Sequence, residues 1–100
     1  MASRAIQCIT FGPGAKLTGT VDFVDDIDGG DSISSASVVA YWKHDGTDAA
    51  AVVFGTPSFA TTVVTYGVQH IETGRTAFVN VLATMVSGQV LDHPIELVQL

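Results

Sequence analysis

The chain has one hundred residues, 47% of them hydrophobic and only 14% charged, with a formal net charge of −6. That length suits a single domain, read as one unit spanning residues 1–100, and the low charged fraction excludes a disordered acidic tail. Ten acids face only Arg4, Lys16, Lys43 and Arg75, too few cations for the basic stripe that nucleic acid or an anionic membrane surface demands.

Cys8 is the only cysteine, so no internal disulfide forms, and the residue is expected to pack as a small apolar side chain. Polar Gln7 and Thr10 interrupt the N-terminal region, so no signal peptide is expected there. The longest apolar run, Ala49 to Phe54, is much too short to span a bilayer as a helix.

Valine, threonine, isoleucine and the aromatics dominate the long segments, and glycine or aspartate clusters break them every ~8 to 12 residues. Ile6 to Phe11 is a short strand candidate. In Lys16 to Phe23, Leu17, Gly19, Val21 and Phe23 alternate with Lys16, Thr18, Thr20 and Asp22. In Ser32 to Trp42, Ala36, Val38, Ala40 and Trp42 oppose Ser35, Ser37, Val39 and Tyr41. Ala50 to Phe54 is a second short candidate, and Thr61 to Ile71, Arg75 to Val86 and Gln89 to Leu100 complete the set. Gly12-Pro13-Gly14 cannot continue a strand, and Asp45-Gly46, Thr73-Gly74 and Ser87-Gly88 suit tight turns. Pro94 lacks a backbone donor and predicts an edge or a bulge in the last strand.

About seven short strands with these turn signals predict an all-β fold, an immunoglobulin-like antiparallel β-sandwich; an open barrel is the alternative. Trp42, Val38, Val21, Val79 and Val81 are the expected core. The Arg75 to Val86 strand is apolar on both sides: Ala77, Val79, Val81, Ala83 and Met85 oppose Phe78, Leu82 and Val86. One face fills a core and the other needs a cover, so Phe78, Leu82 and Val86 are the candidate protein interface.

Catalytic signatures are missing from the sequence. The three histidines, His44, His70 and His93, share no ligand spacing and read as solvated strand-end residues. No serine sits in a G-x-S-x-G elbow, and Asp92-His93 has no context that would make it part of a triad. The only glutamates are Glu72 and Glu96, which leaves no designed acid/base pair. The densest polar feature runs from Asp25 to Ser32. Asp26, Asp28 and Asp31 are the candidate calcium ligands there, because hard oxygens beside glycine suit that ion. The distal glutamate of an EF-hand loop is missing, however, so an exposed turn with aspartates capping backbone amides is the expected reading. No catalytic residue and no cofactor is expected.

Three stretches carry a resemblance: "VDFVDDIDGGDSISSASVVAYW", "FGTPSFATTVVTYGVQ" and "GRTAFVNVLATMVSGQVLDHPIELVQL". Together they cover roughly residues 20 to 100. They resemble tailed-bacteriophage immunoglobulin-like virion proteins of the fibre-tail adaptor and capsid decoration type. Gly30-Asp31-Ser32-Ile33-Ser34-Ser35-Ala36 fits that family's turn into a tryptophan-bearing strand, and Ser87-Gly88-Gln89 fits with glutamine for the usual arginine. His70-Ile71-Glu72-Thr73-Gly74 departs from the Gly-x-Ala-Gly type of turn expected before the penultimate strand. The resemblance implies a non-enzymatic virion component, made in the host bacterial cytoplasm. Its expected partners are other virion proteins (tail, neck, fibre or capsid subunits), in a homo-oligomer or a symmetric assembly. A carbohydrate- or calcium-binding adhesion module is the remaining alternative.

Overall fold

The computed structural model describes residues 7–27 and 29–100. Seven strands follow in chain order: β1 Gln7–Phe11, β2 Lys16–Asp22, β3 Ile33–Trp42, β4 Ser58–Ala60, β5 Val63–Gln69, β6 Thr76–Met85 and β7 Val90–Gln99. They form a four-stranded sheet in the order β1-β7-β6-β3 and a three-stranded sheet in the order β2-β5-β4. All neighbours are antiparallel except β1 and β7, which run parallel. The two sheets make a sandwich of immunoglobulin-like order. Strands β3, β6 and β7 take the places of C, F and G, and β2, β5 and β4 those of B, E and D. The first strand has joined the opposite sheet, which is why it meets the last strand in parallel.

The alternation read from the sequence is the alternation that packs. On β6, Ala77, Val79, Val81, Ala83 and Met85 are buried, and on β7 so are Leu91, His93, Ile95, Leu97 and Gln99. From the other sheet Val21, Val64, Tyr66 and Val68 complete the core, with Phe23 just beyond β2. Trp42 is 9% exposed, so it belongs to the core as expected, whereas Val38 only packs against its margin. The margin follows from position, because β3 is an edge strand. The turn at Ser87-Gly88 forms as predicted: Gly88 has a φ of 94°, a conformation that costs glycine little.

Four expectations are corrected. The Ala50–Phe54 segment is not a strand. Its alanines close a single 3₁₀ turn over Ala50–Val52, and only Val53 then bridges to Val68. Phe54 next donates its N–H to Gly67 O and lays its ring on Gly67, where even a Cβ would come within 2.8 Å of the Phe54 carbonyl oxygen. Cys8 is exposed rather than packed. It lies on β1 beside Glu96 and shares that residue's outward face. His93 is buried within β7, its Nε2 2.8 Å from Gln7 Oε1, and is not a solvated strand-end residue. Finally, Pro94 sits in an interior strand. Among the described residues β1 pairs with Ile95 to Gln99, and on the other side Pro94 stands opposite Asn80 of β6.

Candidate docking surface

The inward residues of β3, β6 and β7 are spent on the core, so their alternate residues form the outer face of the four-stranded sheet. Register places them in rows. Tyr41, Phe78 and Glu96 lie side by side, then Val39, Asn80 and Pro94, then Ser37, Leu82 and Asp92. Val39 and Tyr41 are 50% and 45% exposed, and Phe78 and Leu82 are half-buried. Tyr41 and Phe78 rings meet at 5.6 Å between centroids, tilted by 44°, in the offset geometry aromatic pairs favour. Lys43 closes one end. Its Nζ lies 5.7 Å from the centre of the Phe78 ring and 3.5 Å from Glu96 Oε2. Asn80 sits in the middle with its Oδ1 shielded by its neighbours and accepting no hydrogen bond. The outer face of the other sheet is different in kind. Lys16, Thr18, Thr20 and Asp22 pair across to Gln69, Gly67, Thr65 and Val63.

Two of the three interface residues expected from the sequence, Phe78 and Leu82, are therefore together on one apolar face. Val86 is not in the strand. It falls in the turn after β6, is 70% exposed, and donates its N–H to Ser32 O. Val39 and Tyr41 belong to the same patch and were not singled out in the sequence. Their alternation was visible, but only pairing with β6 brings them beside Phe78 and Leu82.

Among the described residues the aspartates do not assemble into a cluster. Asp26 lies in a 3₁₀ turn over Val24–Asp26, and Asp28 lies outside the described residues. Asp31 turns away to the β6–β7 hairpin. Its Oδ1 accepts from Ser32 N at 3.0 Å and Ser87 N at 3.2 Å, and its Oδ2 accepts from Ser87 Oγ at 2.7 Å. These bonds, led by the Ser87 hydroxyl, hold the carboxyl below its ordinary value of 3.8. Among the described residues no three of His, Cys, Asp and Glu come together in a way that could hold a metal ion.

A test of the Asp31 tie follows from its sign. A group whose folded pKa is depressed contributes stability above its unfolded pKa and loses it as pH falls through the folded value. The melting temperature of the natural chain should therefore drop more steeply below about pH 4 than that of Asp31→Ala. Millimolar calcium should move neither. A calcium-dependent rise that Asp31→Ala abolishes would restore the ion-site reading.

The remaining polar groups are dispersed. Asp92 and His93 are neighbours on β7, so they point to opposite faces and cannot act on one substrate atom. His44 pairs with Asp45 at 3.1 Å, and His70 Nε2 lies 3.0 Å from Leu100 O. An open depression holds Lys43, His44, Gly74, Arg75 and Thr76, but its cations are already engaged. Arg75 Nε bridges to Glu72 Oε1 at 3.1 Å and its guanidinium covers Trp42 at 5.9 Å. Among the described residues no helix is long and apolar enough to cross a membrane. No protein-family model matches the chain, and no curated protein aligns with it.

Proposed function

We propose that this chain is a non-enzymatic structural protein of a tailed-phage virion, an adaptor that docks fibres or neighbouring subunits at the neck or tail. The observation that carries the docking role is the apolar outer face built from Val39, Tyr41, Phe78 and Leu82. Permanent interfaces are enriched in aromatic and apolar residues at their centres, and Val39, Tyr41, Phe78 and Leu82 supply such a cluster here, with Lys43, Glu96 and Asp92 at its margin. Asn80 adds a polar group in its middle that gains nothing within the domain, since an amide oxygen shielded without a donor is a cost. The assignment to a virion rests on the turns Gly30 to Ala36 and Ser87 to Gln89 and the resemblance they carry.

Phe78→Ser combined with Leu82→Ser is the deciding variant. Both side chains lie outside the core, so the domain should keep its far-UV circular dichroism spectrum and a cooperative melt. It should fail to attach to particles that bind the natural chain. If the variant unfolds, those side chains serve the domain's own stability and the docking surface is lost as an argument. The number of copies in purified particles separates an adaptor, present in few, from a capsid decoration protein, present in hundreds.

A further inference from the structure

The side of the sandwich where β3 and β4 run is free of charge along almost its whole length. No charged residue occurs from Ile33 to Trp42 or from Ala49 to Ile71, in a chain of net charge −6. β3 and β4 are the edges of their sheets on that side, and a shallow groove beside β3 is lined by Val38, Val39, Ala40, Val53 and Pro57, together with Asp48. Natural edge strands are blunted by lysine, proline, charge or brevity. β4 is blunted by its length of three residues, and β2 carries Lys16 and Asp22. β3 is ten residues long, and its one irregularity lies at its start, between Ile33 and Ser35.

The backbone says which groups of β3 are open. Lys43 donates its N–H to Thr76 O, so alternate residues back from Lys43 face β6 and those between them face outward. Near the end of the strand the chain covers its own edge: Trp42 N donates to Thr47 O, and Ala49 N donates to Ala40 O. Further back, the N–H and C=O groups of Ala36 and Val38 have no backbone partner among the described residues.

We infer that two copies of this chain join through β3, edge to edge and antiparallel about a two-fold axis at Ser37, so that their four-stranded sheets become one continuous sheet. In that register Ala36 of one copy faces Val38 of the other, and every open donor and acceptor of both residues is satisfied. A two-fold contact must be self-complementary, and this edge is. Ser37, which is exposed, meets its own copy on the outer face, and Ser35 meets Val39, so small side chains let the strands close. An acidic chain repels its own copies over most of its surface; this edge offers an approach without like charges. The inference is independent of the virion reading and uses a strand edge rather than the sheet face.

The test is a concentration series of the natural chain by light scattering and sedimentation, with Ser37→Lys, Ser37→Asp and their mixture. The natural chain should reach a mass near twice 10.4 kDa, with slow amide exchange at Ala36 and Val38. Each charged variant should remain monomeric, with those two amides exchanging freely and the circular dichroism spectrum unchanged. Mixing the lysine and aspartate variants should restore the dimer, because opposite charges then meet at the axis. A natural chain that stays monomeric overturns the inference, as does a dimer that survives Ser37→Lys. A dimer lost in Phe78→Ser with Leu82→Ser but kept in both Ser37 variants would move the contact to the sheet face. If a Ser37 variant unfolds, the exchange rates of Ala36 and Val38 in the natural chain at low and high concentration decide the matter.

Discussion

Trp42→Ala is expected to lower the unfolding free energy by about 3–5 kcal/mol, the range for deleting a buried aromatic and leaving its cavity. Trp42 ends β3, stands opposite Ala77, and is 9% exposed. A small alanine across the ladder leaves the indole to fill that end of the core. The Arg75 guanidinium covers the ring from outside, so the substitution also strips a cation of its aromatic platform. For a domain of this size the melting temperature should fall by roughly 15 °C or more. Trp42 is the chain's only tryptophan, so the loss is best followed by far-UV circular dichroism in urea. A cost under about 1 kcal/mol would mean the cavity closes or the ring is not a core residue.

The second large effect belongs to a residue whose chemistry gave no warning. Gln99→Leu should cost about 1–3 kcal/mol, because it takes the acceptor from two backbone donors while roughly preserving volume. Gln99 is 1% exposed at the end of β7. Its Oε1 accepts from the N–H groups of Ile71 and Glu72, the second at 3.0 Å, and its Nε2 donates to Arg75 O at 3.3 Å. One side chain thus holds the loop between β5 and β6 at both of its ends. Leucine would fill the space but leave the Ile71 and Glu72 amides without the acceptor that holds them. Hydrogen exchange at Ile71 and Glu72 should quicken in the variant by more than the global loss of stability explains. An unchanged urea midpoint with unchanged exchange would show that the loop is held by other contacts.

The candidate surface was half legible in advance. Phe78 and Leu82 stood out because a period-two pattern with apolar residues on both sides of a strand leaves one side without a use in a two-layer fold. Tyr41 and Val39 carried the same signal, but their strand also offered serines on that side, and nothing local says that β3 lies beside β6. Val86 was included by extending the alternation one step too far; Ser87-Gly88 already requires the chain to turn there. The open edge of β3 had a trace in the sequence, the absence of charge from Ile33 to Trp42, but whether a strand is central or marginal depends on pairings far along the chain.

The strands were legible in advance because their cause is local. Alternation fixes which side of each strand is buried, and glycine or proline fixes where a strand stops. That reasoning reached every strand longer than five residues, the inward sets of β6 and β7, and the all-β sandwich. It failed where the cause is not local. Long-range pairing put β1 in parallel beside β7, which exposed Cys8 and placed Pro94 in an interior strand. Only the packed sandwich buried His93 and Gln99, polar side chains in inward positions whose partners lie many residues away in sequence. A pattern of apolar residues records what a strand hides from water. It does not record which strand comes to lie alongside, and every surface this protein presents to another molecule depends on that choice.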